Sequence, residues 1–461
     1  MAIFRLVLCN LILYITVSRA VARLCFNHFL SKGPAVSGSR IIRIVQSAVI
    51  TVLATNMWIP GIAHAQGSGC IDAPPLPEPR NRIVRVSSIE ELNEAVSSLR
   101  ENSTIVIEPG RYQLTRTLGI EADNVTIRGA GNDCSAVELT GRGMDEIDHQ
   151  GVTNAFWINA ENTTIANLTV GEVYFHTVQI NNEAVAPHIY NVRMFNSGQQ
   201  FVKANPIEFG VGVDNGIVEY SVMEYTDGPP KTNHEGSGFG YTNGVDVHAG
   251  TGWRISNNRF SNFHTPDTSD HLWNAAVLVW NGASGTVTEN NVFINVDRAV
   301  AYGLDQRSYD HKGGVIRNNM VTMPPNLYSS YRKNASDAVI SVLDSPNTKV
   351  LHNTILTNGN TQLAIELRFD TSGSEVSNNI TDAPISHRDR RYFGEKNNIT
   401  DAVSDWFIDP ANGNLRLQPE VSAARDKVRP HRHAKFDIDR QKRPPGRQVD
   451  IGADEHMPDD N

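Results

Sequence analysis

Five short segments of the chain end in nearly the same phrase: Ile255-Ser-Asn-Asn258-Arg-Phe260, Thr288-Glu-Asn-Asn291-Val-Phe293, Ile316-Arg-Asn-Asn319-Met-Val321, Val350-Leu-His-Asn353-Thr-Ile355 and Val376-Ser-Asn-Asn379-Ile380. The numbered asparagines are 33, 28, 34 and 26 residues apart. A repeat of that length, one β-rich unit each, is the mark of a solenoid. No unit buries its apolar side chains alone, so neighbours stack and share one elongated core. Asparagine at a fixed place in each turn predicts a ladder of side-chain amides bonded along the axis.

Working outward, a second strand precedes each asparagine turn. These strands read Phe156-Trp-Ile158, Val178-Gln-Ile180, Phe201-Val202, Val245-Asp-Val247, Val277-Leu-Val279, Val300-Ala-Tyr302, Val339-Ile340 and Leu363-Ala-Ile365. They are short, mostly β-branched and apolar, as stacked parallel strands should be. No long helical periodicity lies between them, which argues against a βα solenoid or a Rossmann-type sheet. At the front, Ser88-Ile-Glu-Glu91 is a capping box, followed by Ile89, Leu92, Val96 and Leu99 at helical spacing. This amphipathic helix is placed to cover the open end of the first coil. The expected organisation is all-β: a Pro-rich lead-in over 66–86, a parallel β-helix with its N-terminal cap over 87–405, and an irregular C-terminal cap and tail over 406–461. The tail is expected to close the C-terminal end.

Residues 1–65 are set apart. Arg40-Ile-Ile-Arg43, the apolar run Ile44 to Ile62 and Ala63-His-Ala65 describe the basic, apolar and cleavage regions of a secretory signal, with cleavage before Gln66. The stretch Met1 to Phe26, interrupted by Arg5, Asn10, Arg19 and Arg23, reads better as a start assigned too far upstream than as a further membrane segment. Removing residues 1–65 deletes six Lys/Arg and no acidic residue, taking the formal charge from −9 to −15. Such an acidic chain is not built for nucleic acid, whose backbone calls for basic patches. A polyanionic substrate stays open, because a local basic cluster or a bound cation can reverse the field. In an oxidising compartment Cys70 and Cys134 are available for one disulfide that ties down the lead-in.

Two further stretches carry a resemblance. The opening from Ser88 to Gly110, with Ile105-Val-Ile-Glu-Pro-Gly-Arg-Tyr112, is similar to the start of chondroitinase B and alginate lyases. The ending from Phe436-Asp-Ile-Asp-Arg440 to Asp450-Ile-Gly-Ala-Asp454 resembles the tail of many secreted bacterial β-helix proteins. The chain beyond residue 65 thus resembles the right-handed parallel β-helix proteins of the pectate-lyase-like superfamily. The resemblance implies the fold more firmly than the activity, since the superfamily holds lyases, hydrolases, epimerases and non-enzymes.

Side chains alternate between core and solvent along a strand, so outward polar residues on successive coils make a groove wall. Gln179, Asn181, Gln200, Lys203, Asn205, Asp246 and His248 fall at equivalent strand ends on consecutive coils. The two longest insertions, Glu224 to Tyr241 and Ser261 to Trp273, flank this patch, and loops of that length usually serve binding or catalysis. The second holds His264, Asp267, Asp270, His271 and Trp273, a polar turn that also offers acid–base groups or cation ligands. Asp246-Val-His248 puts two polar side chains on one strand face, as chemistry or as a satisfied surface pair. Arg307, in Asp305-Gln-Arg307, could extend the groove or sit in a solvated turn, and so could Asp310-His-Lys312. Trp253, Trp273 and Trp280 could stack on sugar rings or simply pack the core.

A uronate lyase must remove the proton beside a carboxylate, which needs charge neutralisation, a base and a proton donor for the departing oxygen. The chondroitinase B-like resemblance implies Ca²⁺ on acidic ligands, with Glu219 and Glu224 as candidates and Lys231 as base. The strand expected to supply that family's arginine instead carries His248, a departure that weakens the metal-assisted scheme. The candidate catalytic set is therefore His248, Lys203, Asp246, Lys231 and His271, with Ca²⁺ open. The favoured reading is an exported, monomeric lyase acting on an acidic polysaccharide. An inert carbohydrate-binding module and a uronate C5-epimerase are the rivals. A polygalacturonase-type hydrolase is disfavoured because its Asp-Asp and Gly-His-Gly motifs are absent.

Overall fold

The computed structural model describes residues 69–80, 82–226, 242–265, 275–444 and 447–456. The leader expected over 1–65 lies outside them. The chain winds as a parallel β-helix. One sheet stacks ten parallel strands, from Leu118–Ile120 through Val178–Ile180, Val202–Ala204, Val245–His248, Ala275–Trp280 and Arg298–Tyr302 to Ile385–His387. All eight strands expected upstream of the asparagine turns belong to it. A second sheet of twenty strands carries the other two sides of each coil. Its two rows, for example Arg254–Ser256 and Arg259–Ser261, merge in the ten-residue strands Thr164–Val173 and His188–Ser197.

The corner between those rows explains the repeated phrase. Asn257, Asn290, Asn318 and Asn378 hold φ of 56°, 56°, 53° and 59°, a left-handed conformation that Asn tolerates better than most residues. The next asparagine then turns inward and is buried. Nδ2 of Asn258 donates to Oδ1 of Asn291 at 3.1 Å, and the chain of bonds runs on to Asn319 (3.0 Å), Asn353 (2.9 Å) and Asn379 (3.0 Å). Asn398 adds one more rung at 2.9 Å. Each amide N–H also donates to a backbone carbonyl, as that of Asn291 does to Ile255, so no buried polar group of the ladder is left unmet. Beside the ladder the core is apolar, with Phe260 stacked on Phe293 at 4.8 Å and 8°.

At the N-terminal end, helix α1 (Ile89–Ser97) buries Leu92, Ala95 and Val96. Ser88 Oγ accepts from the Glu91 N–H, and Glu91 reaches back to the N–H of Ser87 rather than that of Ser88. Residues 82–86, expected within the lead-in, already form a strand parallel to Ser103–Ile107. The Cys70–Cys134 disulfide closes, with Cα atoms 6.0 Å apart. Pro74 and Pro77 carbonyls accept from Tyr190 and Arg128, which lays the lead-in against the twenty-stranded sheet.

The C-terminal segment, expected to close an end, packs along the side of the coils. Its Phe407, Leu415, Leu417, Ile438 and Ile451 pack on Met320, Leu356 and Ile380, which point out of that sheet. Outward apolar side chains on successive coils cannot be left to water, and the tail folds back along the helix side to cover them. Among the described residues no helix is long and apolar enough to cross a membrane.

Candidate active site

The ten-stranded sheet brings three of the polar residues into contact. Lys203 pairs in register with Gln179 on one side and Asp246 on the other. Lys203 Nζ lies 2.5 Å from Asp246 Oδ2 and 2.7 Å from His248 Nε2, and His248 Nε2 is 3.4 Å from the same carboxylate oxygen. The other carboxylate oxygen accepts from Trp280 Nε1 at 3.1 Å. Asp246 is 0% exposed, whereas the Lys203 and His248 side chains each keep 14%. Beyond Asp246 the face turns apolar, where Leu278, Ala275 and Ala301 cluster with Trp280.

Burial alone would push the Asp246 carboxyl up, but the Lys203 ammonium and His248 outweigh it and hold the group well below the usual carboxylate range. Asp246 is therefore a fixed negative charge. The 2.7 Å contact between Lys203 Nζ and His248 Nε2 joins an amine to an imidazole nitrogen, two groups able to give or take a proton. The cluster thus presents a base and an acid at one point of an open sheet face.

The chain just after Lys203 builds a wall. Pro206–Glu208 and Val211–Gly212 pair as a hairpin. The Gly210 N–H at its tip donates to the Asn281 carbonyl at 3.0 Å. Gly282 holds φ 87°, and a Cβ there would stand 2.7 Å from Gly210 N, so this approach requires glycine. Phe209 on the hairpin meets Tyr309 at 5.9 Å, and the Arg307 guanidinium lies 5.6 Å from both the Phe209 and Trp280 rings. Trp280 in turn meets the His248 ring at 4.5 Å. Arg307 therefore borders the site, anchored by its backbone N–H on Asp344 and its guanidinium on Asp305.

Other expected residues fall differently. Gln179 is nearly buried beside Lys203, and Asn181 and Asn205 are half-buried where their strands end. Gln200 is 1% exposed and its amide donates to Asn243 at 3.4 Å, so it belongs to the interior and not to the groove. His264 stands half-buried at the end of the turn after Arg259–Ser261. Lys231, Asp270, His271 and Trp273 lie outside the described residues. Asp310 and His311 are fully buried: Asp310 accepts from three backbone N–H groups, and His311 bonds Ser345 and Thr286. They brace the turn instead of lining a groove. Trp253 is also a core residue, its Nε1–H donated to Val213.

Glu219 and Glu224 sit on the other sheet. Glu219 meets His188 at 3.1 Å, and Glu224 meets the Arg193 guanidinium at 2.6 Å. Calcium needs several oxygens directed at one point; here each carboxylate faces a basic side chain on the preceding coil. This pair does not fit a calcium site beside Lys203.

Sequence reading missed His176 and the Phe209 hairpin. His176 is half-buried, its Nδ1 is buried without a hydrogen-bond partner, and burial with the charge of Lys203 lowers its pKa. The exposed apolar residues Ile207, Phe209 and Val211, directly after Lys203, were the available signal for the hairpin. Behind the site, Phe201, Tyr225 and Phe263 form a buried triangle of rings 5.2–5.3 Å apart, which fixes the chain where both long insertions leave the coil.

No family model matches the chain, and no curated protein does. Solved structures do match. An alginate lyase from Paenibacillus sp. str. FPU-7 is 16% identical over 69% of this chain and 95% of its own, with a TM-score of 0.45. Pectate lyase Pel9A is 10% identical over 85% of this chain and all of its own, at 0.44. The alginate lyase AlyF-OU02, in complex with G6, is 17% identical over 66% of this chain, at 0.38; the match spans 55% of that longer chain. All three are polysaccharide lyases by name, and at these identities and TM-scores the likeness says nothing about the chemistry of Lys203, Asp246 and His248.

Proposed function

We propose that the chain is an exported lyase that cleaves an acidic, uronate-containing polysaccharide by β-elimination. The observation that carries this reading is Lys203 Nζ held between Asp246 and His248 on the open face of the sheet. A substrate carboxylate competes with His248 Nε2 for the Lys203 ammonium, which both neutralises the carboxylate and frees Nε2. The freed imidazole takes the C5 proton. The electron pair forms the C4–C5 double bond as the C4–O bond breaks, and the imidazolium returns the proton to the departing oxygen. Asp246 fixes the Lys203 side chain throughout, and Arg307, at the border of the site, would meet the carboxylate of a neighbouring sugar. Aromatic faces at Trp280 and Phe209 suit the apolar sides of pyranose rings.

The test follows absorbance of the unsaturated uronate product over a panel of acidic polysaccharides, using residues 66–461. Wild type should release product, and Lys203→Ala and His248→Ala should not. Absence of product from wild type across the panel would sink the lyase reading and leave an inert binding module or an epimerase, the latter betrayed by a change in C5 configuration without chain cleavage.

A further inference from the structure

The twenty-stranded sheet carries a second groove that the reaction does not use. It opens where the C-terminal segment folds back over the left-handed corner. A cavity of about 660 Å³ between the lead-in and the tail includes Tyr220, Asn257, Asn290, Arg259 and Arg440 in its lining. A neighbouring cavity of about 290 Å³ shares Asn290 and adds Asn318, Arg317, Arg432 and Lys435. The shared floor is the outer row of corner asparagines, with Asn318 donating to Asn290 at 3.2 Å and Asn290 to Asn257 at 3.5 Å. The row ends at Asn257, whose own amide N–H groups have no protein acceptor among the described residues. Asn318 is buried and bonded to the Phe436 carbonyl, so the half-buried amides of Asn257 and Asn290 are the part of the row that can meet sugar hydroxyls, which both give and accept hydrogen bonds.

The walls are basic in an otherwise acidic chain. The two linings hold Arg259, Arg317, Arg416, Arg432, Lys435 and Arg440 against Asp72, Glu289 and Asp439, while the whole chain has a formal charge of −9. The acidic groups in the lining are mostly spoken for: Glu289 binds Arg317 at 2.5 Å, and Asp439 binds Arg416 at 2.8 Å. Asp72 is the remaining carboxylate. Arg432 and Lys435 are exposed and have no acidic partner among the described residues. Burial and then the charge of Arg432 lower the His433 pKa, as expected where positive charge is already crowded.

We infer that this groove is a second, non-catalytic binding site for an anionic glycan chain, its sugar hydroxyls on Asn257 and Asn290 and its acidic groups on Arg432, Lys435 and Arg440. It lies on a different sheet from Lys203. The inference rests on these residues and not on the chemistry assigned to Lys203, so the two fail separately.

The experiment is affinity electrophoresis of residues 66–461 in gels containing alginate, polygalacturonate or chondroitin sulfate, with dextran as the neutral control. Wild type and Lys203→Ala should be retarded alike by at least one anionic polymer, less so at high salt. Arg432→Ala/Lys435→Ala should show about tenfold weaker retardation, with an unchanged melting temperature and, if the chain is a lyase, unchanged turnover of short oligouronates. Retardation of the double variant equal to wild type, equal retardation by dextran, or no retardation of wild type at low salt would each overturn the site. So would capture by anionic lipid vesicles in place of the polymers.

Discussion

Lys203 Nζ lies 2.5 Å from Oδ2 of Asp246, a carboxylate with no exposure to water. A buried charge is tolerated only when paired and bonded, and Asp246 has Lys203 on one oxygen and Trp280 on the other. The pairing fixes the Lys203 side chain next to His248. Asp246→Asn keeps the shape and removes the charge, so the ammonium loses the partner that fixes it. Turnover should fall by about 10²-fold or more with little change in KM, because the loss falls on proton transfer and not on sugar contacts. Steady-state kinetics on the active polymer checks this; an equal rise in KM with unchanged kcat would place Asp246 in binding instead.

Buried histidines make the fold acid-sensitive. Burial pushes His311 down to about 3, well under its ordinary value of 6.5. Between those values the unfolded chain binds a proton that the folded chain refuses, so stability falls as pH drops from about 6.5 to 3, by up to about 1.4 kcal/mol per pH unit for such a group. Asp246 adds a second, lower window. Its folded pKa is depressed, so its contribution is complete above the unfolded value near 4 and is lost as pH falls through the folded one. Melting curves of wild type and His311→Gln between pH 7 and 4 should converge as pH falls. Parallel curves would mean that His311 is not held neutral.

The solenoid was legible because its signal is periodic. Asn258 through Asn379 repeat with the coil, and the same burial acts on each, so the strands and the ladder follow from spacing alone. Asp246 and His248 were legible as a same-face pair, and Lys203 as a polar residue ending an apolar strand. Their mutual contact was not legible, because it depends on register between coils 43 residues apart in sequence. Gln200 shows the limit of alternation: two residues before its strand the chain is still turning, and the side chain points inward. The tail misled in a similar way. Met320, Leu356 and Ile380 look like core residues in sequence, and only the coil geometry shows them pointing outward and in need of cover.

The ladder should be costly to interrupt in the middle and cheaper at its end. Asn319 takes two bonds on Oδ1, from Asn291 N and Nδ2, and gives two, to Thr288 O and Asn353 Oδ1. Asn319→Ala strands buried partners on both neighbouring coils and should cost about 3–5 kcal/mol. Asn398→Ala removes the last rung, which has a coil on one side only, and should cost about half as much. Chemical denaturation of the two variants compares them. Equal losses would mean that the coils unfold as one unit insensitive to where the ladder breaks.

Trp280 holds Asp246 through Nε1 and meets the His248 ring at 4.5 Å, so it has a polar and an apolar role that substitution can separate. Trp280→Phe keeps a ring for the sugar and for His248 but drops the bond to Asp246; kcat should fall about tenfold with KM nearly unchanged. Trp280→Ala loses both, and KM should rise as well. If Phe and Ala behave alike in kcat and KM, the indole N–H has no part in setting the site.

Calcium dependence separates two chemistries with a single pair of measurements. Glu224 is bound to Arg193 at 2.6 Å with both side chains about one-fifth exposed, so Glu224→Gln should cost stability on the order of 1 kcal/mol. It should leave turnover at Lys203 unchanged, since the carboxylate stands on the other sheet. Chelation of divalent ions should likewise leave the initial rate of residues 66–461 intact, because the Lys203 ammonium supplies the neutralising charge. A rate that collapses on chelation, returns with Ca²⁺ and is also lost in Glu224→Gln would move the site to the Glu219–Glu224 side of the coil and discard the Lys203 mechanism.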